Sequence, residues 1–160
     1  MSTGKFPLEQ LAALDECFRS LHERSLAAVS RMPAELLFKL PEAAKAGTFG
    51  EYLLRSAAAV EQTFGGITAR LWDDPFEWTL PEELSTTEKI NEYLLEVEET
   101  RVRGFRFFAS DADLAKQLPA PEKLSTIFAL LLTTLARAEN FQGRAIAVSQ
   151  LLTGTPPPRI

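Results

Sequence analysis

The spacing of its prolines is the feature that most limits how this chain can fold. Proline lacks a backbone N–H and breaks helix interiors, so each one marks a point that a regular helix does not cross. The ten prolines lie at positions 7, 33, 41, 75, 81, 119, 121, 156, 157 and 158. They leave four uninterrupted stretches, each with apolar residues at steps of three and four, the period of one helical face. The sequence therefore predicts four helices.

The predicted helices span 7–32, 49–71, 86–108 and 122–152. Thr48 with Glu51 and Ser85 with Glu88 have the spacing of capping boxes, which indicates where the second and third helices begin. The fourth helix has the most regular apolar seam, with steps typical of helices that pack against each other. The seam residues are Ile127, Leu131, Thr134, Ala138, Phe141, Ala145, Val148 and Leu152.

The connections between these helices decide the topology. No stretch alternates between apolar and polar residues as a strand would, and the three connections, of about a dozen residues each, are longer than an up-and-down bundle needs. We therefore predict an all-α fold, a four-helix bundle with crossover connections. A single domain is expected over 1–160, with residues 155–160 as an extended proline-rich tail.

Charge and cysteine content narrow the function classes. The net charge of −5 opposes binding to phosphate backbones, and we interpret Arg101, Arg103 and Arg106 as a solvated helix end that suits the helix dipole. Nucleic acid is therefore not expected as a partner. Cys17 is the only cysteine, and the first residues lack an apolar stretch of signal-peptide length, so a cytoplasmic protein is expected. No apolar run reaches the ~20 residues that span a bilayer, so no membrane association is expected.

Two smaller groups of residues carry weaker expectations. Cys17 and His22 point roughly 140° apart on a helix, so we interpret them as a core cysteine and a surface histidine instead of a reactive pair. Trp72, Phe76 and Trp78 fall within one connection and predict either a lid over a pocket or a plug at the end of the bundle. The pair at 65–66 is Gly-Gly, which indicates close approach or a kink in the second helix.

Two segments resemble a known family. Residues 126–146 run from a threonine and several leucines through Arg137 and Phe141 to a Gln-Gly pair, and three prolines follow at 156–158. Residues 48–61 begin Thr-Phe-Gly and continue through a leucine pair to Arg55. Together with four helices in the same order, these segments resemble the DinB/YfiT-like superfamily. That resemblance implies a bundle with two crossover connections, a homodimer, and a divalent metal held by three histidines of the second and fourth helices.

The chain departs from that family at the metal site. Arg55, Arg137 and Phe141 stand at the positions that match the three histidines, and none of them is a metal ligand under ordinary conditions. The only histidine, His22, lies on the first predicted helix. We therefore expect neither a bound metal nor another cofactor.

Two arginines that converge need a negative partner. One interpretation is an internal ion-pair network with Glu61 or Glu139, or a solvated Arg55. The other is a pocket in which Arg55 and Arg137 hold a small anionic ligand, a carboxylate or a phosphate. The sequence leaves both open.

Three functional hypotheses follow. The first is a non-catalytic binding or interaction protein that has lost the family's metal and has an anion or small-molecule pocket at the former metal position. The second is a divergent enzyme of the thiol-dependent transferase or isomerase type that the resemblance implies, with a carboxylate-held metal or an arginine-lined pocket. The third is a protein that only assembles with another chain through an apolar helix face.

Overall fold

Four α-helices dominate the computed structural model, which describes residues 9–42, 45–74 and 83–156. The helices are α1 (Glu9–Arg31), α2 (Phe49–Ala69), α3 (Thr87–Phe105) and α4 (Ile127–Thr153). Two short 3-10 helices, Ala34–Leu36 and Asp111–Ala115, lie in the connections, and strands β1 (Gln117–Pro119) and β2 (Leu124–Thr126) form an antiparallel hairpin. The predicted all-α four-helix bundle is confirmed.

The hairpin corrects the predicted start of the fourth helix. The backbone N–H of Ala120 donates to the carbonyl of Lys123 and closes the turn between β1 and β2. Thr126 then caps α4 by accepting a hydrogen bond from the N–H of Ala129 at 3.1 Å. The expectations of a helix from 122 and of no strand were both wrong, because three-residue strands are too short to show an alternating pattern.

The bundle places α1 and α2 at diagonal corners, each beside α3 and α4. Helices α2 and α4 are antiparallel. Ser56 Oγ donates to the carbonyl of Ala138, and two turns later on α2 Thr63 Oγ1 lies 2.6 Å from Thr134 Oγ1, which is one turn earlier on α4. This interface is the most extensive between any two helices in the described part of the chain.

Helices α2 and α3 run parallel. Tyr93 near the start of α3 bonds to Glu61, and Gly104 near the end of α3 contacts Phe64, one turn further along α2. Two adjacent parallel helices cannot be joined by a tight turn, so α2 and α3 require a crossover connection. One of the predicted crossover connections is therefore confirmed, and 75–82 of it lie outside the described residues.

An aromatic cluster fills one end of the core. The rings of Phe18 and Phe64 meet edge to face at a centroid distance of 5.5 Å, and Phe105 lies 5.6 Å from both Phe64 and Phe108. Such pairs add roughly 0.5–1.5 kcal/mol each beyond their burial. Gly104 lets Phe64 approach α3, since a methyl group at this position would overlap the ring.

Local hydrogen bonds define the beginnings of the helices. The capping box of Thr48 and Glu51 is present at the start of α2, as predicted. At the start of α3, however, Thr86 is the cap and accepts from the N–H of Lys89 at 3.2 Å. The Ser85 box was therefore wrong by one residue, since either hydroxyl residue satisfies the cap preference.

The glycine pair in α2 accommodates the chain that follows the helix. Arg70 ends α2 in the left-handed conformation with φ 59°, and the N–H of Leu71 returns to the carbonyl of Gly65 at 3.2 Å. This turn lays the indole of Trp72 on Gly66, where a methyl group would overlap the ring. The helix continues regularly to Ala69, so the predicted close approach is confirmed and the kink is not. Phe76 and Trp78, predicted to join Trp72 in a lid or plug, lie outside the described residues.

Candidate functional site

The arginines predicted to converge lie on one flank of the α2–α4 pair. Ser56 faces Ala138 across the interface, and Arg55 and Arg137 each precede one of these residues. Because the two helices are antiparallel, residues that precede the contact on each helix project to the same side. Both arginines are exposed there. We call this side the arginine flank, defined by Tyr52, Arg55, Gln62, Arg137, Phe141 and Arg144.

Phe141 lies on this flank and not in the core. The guanidinium of Arg144 lies over the ring of Phe141 at 5.9 Å and over that of Tyr52 at 5.8 Å. Phe141 is half-buried, whereas its neighbour Gln142 is only 1% exposed. The predicted seam was therefore wrong at this position, because the buried stripe of α4 takes a step of four after Ala138 instead of three.

Gln142 is the centre of a buried polar network between α1 and α4 that the apolar period did not reveal. Its Nε2 donates to Ser25 Oγ and to a backbone carbonyl of α1, each at 2.7 Å, and its Oε1 accepts from Arg24 at 2.7 Å. Arg24 also forms a two-bond ion pair with Glu139, which raises the pKa of Arg24. Glu139 therefore faces α1.

Glu61 faces α3. It accepts a hydrogen bond of 2.6 Å from the hydroxyl of Tyr93. Burial of Tyr93 and the negative charge of Glu61 raise the pKa of this phenol, so it stays protonated and continues to donate. Neither carboxylate predicted as a possible partner is therefore paired with Arg137.

Arg137 lines a half-enclosed cleft of about 450 Å³. The cleft is bounded by α2, α4, Trp72 and the hairpin turn at 120–123. Within the described residues, Arg137 makes a single hydrogen bond, from Nη1 to Gln62 Oε1 at 3.2 Å. Arg55 and Phe141 lie on the same flank but do not line the cleft.

Gln62 connects two walls of this cleft. Its Oε1 accepts from Arg137, and its Nε2 donates to the backbone carbonyl of Trp72 at 2.9 Å. Both polar atoms of the amide are thereby bonded, which fixes its orientation. The role of Gln62 depends on the return of the chain to Trp72 after α2, which the helical pattern of the sequence does not show.

A buried ion-pair network around Arg101 lies between α1 and α3. Arg101 is only 1% exposed, ion-paired to Asp15 and Glu98, and its guanidinium lies 5.2 Å from the ring centroid of Phe105. Burial opposes its charge, but the hydrogen bonds that it donates to Glu98 and Asp15 raise the pKa of Arg101. The prediction of a solvated helix end was wrong for this residue, although its position four residues after buried Val97 indicated the core face.

Two residues of α1 also differ from expectation. Cys17 is exposed, so it is not a core residue. His22 is half-buried near Glu98 and Arg101; burial and then the charge of Arg101 lower the pKa of its imidazole.

The described segments contain no group of three or more His, Cys, Asp or Glu side chains that could hold a metal ion. None of their helices is long and apolar enough to cross a membrane.

The chain was compared with protein-family models, curated proteins and solved structures, and none of the three comparisons finds a match.

Proposed function

We propose that this chain is a DinB/YfiT-like bundle that has lost the family's metal site and is a non-catalytic binding protein for a small organic anion. The helix order and one crossover, after α2, agree with what the resemblance implies about the fold. The positions that match the metal-binding histidines include two arginines on one flank of α2 and α4. A pocket that suited a cation would thereby have become one that attracts an anion.

The observation that carries this proposal is the bonding of Arg137. It lines the cleft, and among the described residues it has one neutral hydrogen-bond partner and no carboxylate. Guanidinium has five N–H donors, so four are available for a carboxylate or phosphate in bidentate geometry. A cleft of about 450 Å³ is within the usual size of small-molecule sites.

The competing interpretation was an internal ion pair. It named Glu61 and Glu139 as counter-ions, but these residues bond to Tyr93 and Arg24 and face α3 and α1. Arg137 is therefore uncompensated by either of them.

The metal-dependent form of the catalytic alternative has no observation in its favour among the described residues, whereas its arginine-lined form would use the same cleft. A thiol-dependent transferase or isomerase with a carboxylate-held metal would need acidic side chains that converge, and Glu61 and Glu139 face different helices. Metal analysis of protein purified without chelator separates the two hypotheses, since stoichiometric nickel, zinc or manganese would favour the enzyme.

Calorimetric titration with acetate, inorganic phosphate and larger carboxylates, each paired with its neutral amide or ester, tests the proposal. We expect anions to bind and their neutral analogues to bind at least tenfold more weakly, as charge-assisted hydrogen bonds require. Arg137→Gln should remove this difference. Arg103→Gln is the matched control, since Arg103 is also an exposed helical arginine with one neutral hydrogen-bond partner.

Two results would contradict the proposal. One is that no anion in the panel binds; the other is that Arg137→Gln binds the anions as well as Arg103→Gln does.

The resemblance also implies a homodimer, which we include in the proposal. Phe128 and Leu132 lie one turn apart on α4 and are at least 40% exposed, the kind of apolar surface that a second copy covers. Sedimentation of the chain and of Leu132→Glu tests this. A dimer that the substitution dissociates is expected, and a monomer at all concentrations would contradict it.

A further inference from the structure

Trp72 is held in one orientation beside the arginine of the cleft. Its carbonyl accepts from Gln62 at 2.9 Å, and its indole packs on Gly66, where not even a methyl group would fit. Trp72 also lines the cleft. An aromatic ring fixed in this way presents a flat, rigid wall to a ligand without having to be ordered on binding.

Arg137 and Trp72 lie close together in the cleft. Gln62 bonds to Arg137 through one atom of its amide and to the backbone of Trp72 through the other. The guanidinium and the Trp72 backbone are therefore separated by a single amide group. A ligand that contacts both Arg137 and Trp72 therefore needs its charged group close to the part of the ligand that lies on Trp72.

The two threonines that join α2 and α4 inside the cleft have no free hydroxyl proton, although Ser125 and Thr133 also line the cleft. Thr134 Oγ1 donates to the carbonyl of Leu130 at 2.7 Å, so the proton between the two threonines must come from Thr63. Both hydroxyl protons are thus already bonded. The neighbouring lining residues Ala59 and Ala129 are small and apolar, which suits the hydrocarbon part of a ligand.

Cavity size argues against a bare inorganic ion. A water molecule occupies about 30 Å³ of liquid, and a small inorganic anion is not many times larger, so it would leave most of the roughly 450 Å³ cleft to solvent. Lys123 and Glu122 also line the cleft, with opposite charges, and a carboxylate with a planar body uses the guanidinium of Arg137 and the wall formed by Trp72.

We infer that the ligand of this cleft is an aromatic carboxylate, whose ring stacks on Trp72 and whose carboxylate is held by Arg137. This inference rests on the proposed function, because it assumes that Arg137 binds an anion. It adds the ligand class, and it assigns Trp72 as the specificity-determining residue and Gln62 as the residue that positions Arg137.

Tryptophan fluorescence tests the inference directly. The chain has two tryptophans, Trp72 and Trp78, so the variant Trp78→Phe reports on Trp72 alone. It is titrated with benzoate and phenylacetate, with cyclohexanecarboxylate as an acid of similar size but without a π-system, and with benzamide as a neutral ring. We expect the aromatic acids to change Trp72 emission and to bind about three- to tenfold more tightly than cyclohexanecarboxylate.

The outcomes separate the two proposals. Equal, Arg137-dependent affinity for benzoate and cyclohexanecarboxylate would overturn the aromatic class and leave the anion-binding function standing. No binding of either acid, or equal binding of benzamide and benzoate, would overturn both.

Trp72→Leu supplies the second test, with calorimetry as the readout. It should abolish the preference for the aromatic acids and keep Arg137-dependent binding of cyclohexanecarboxylate. An unchanged preference in a folded Trp72→Leu protein would overturn the role of Trp72. If this variant does not fold, the ligand comparison in Trp78→Phe decides alone.

Discussion

Arg101 and Arg137 occupy opposite kinds of environment in the same bundle. Arg101 lies between α1 and α3, is 1% exposed and is bonded to two carboxylates. Arg137 lies on α4 at the edge of a cleft, is exposed, and bonds only to the neutral amide of Gln62 within the described structure. Both side chains carry the same charge, so the difference comes from what surrounds them.

The comparison separates a structural arginine from one that is available to a ligand. A buried charge is tolerated only when it is paired, and Arg101 is paired twice. A solvated guanidinium with unused donors needs no internal partner and retains its capacity to bind an anion. If this distinction holds, the two residues should differ strongly in stability experiments.

The largest effect is expected from Arg101→Met. It should lower the free energy of unfolding by about 3 kcal/mol, because Asp15 and Glu98 lose the cation that compensates them. The value lies at the lower end of the usual range since Asp15 is partly solvated. Urea unfolding measures it, with Arg103→Met on the same helix as the exposed control. A loss no greater than that of the control would show that the buried network contributes nothing.

Gln142→Leu should have the next largest effect. The substitution removes the donor to Ser25 and the acceptor for Arg24 in a nearly fully buried position, at a cost of roughly 1–3 kcal/mol. Gln150→Leu is the matched control on α4, since Gln150 is half-buried and its side chain makes no hydrogen bond to the described residues. Equal thermal unfolding curves for both variants would contradict the network.

The pKa of His22 reports on the charges around Arg101. As the only histidine, it gives a single imidazole titration by NMR, and its pKa should lie below the ordinary 6.5. The unfolded chain then takes up the proton first, so stability is full above 6.5 and falls as pH drops toward the lower folded-state pKa. Arg101→Met should raise the pKa of His22, because a nearby positive charge is lost while Glu98 remains. A wild-type pKa at or above 6.5 would be inconsistent with this geometry.

The smallest effect on stability is expected from Arg137→Gln. The free energy of unfolding should change by no more than about 0.5 kcal/mol, as for other exposed sites, while anion binding is lost. Urea unfolding and calorimetry on the same preparation check both parts. Destabilisation comparable to that of Arg101→Met would make Arg137 a structural residue and remove the contrast.

Much of the fold followed from local signals in the sequence. The prolines and the apolar period predicted four helices in their correct order, and Thr48 with Glu51 marked the first residue of α2. These features act over one or two helical turns, so they can be recognised without knowing which other helices pack against them. The hairpin before α4 was missed because three-residue strands have no period to detect.

The candidate site was only partly predictable. The sequence singled out Arg55 and Arg137, whose role in binding stays a prediction, but not the cleft beside Arg137 or the role of Gln62. The cleft depends on the return of the chain to Trp72 and on the hairpin turn at 120–123, which come from separate connections. Side chains distant in sequence meet there only after the helices have packed.

The sequence by itself determined the helices and which residues are charged, since hydrogen bonding and apolar periodicity are local properties of the chain. Only the tertiary structure decided which charges are satisfied. Glu139 lies two residues from Arg137 yet pairs with Arg24, because successive helical residues point about 100° apart and face different neighbours. The partner of a long polar side chain depends on the helix opposite, and that is settled by packing.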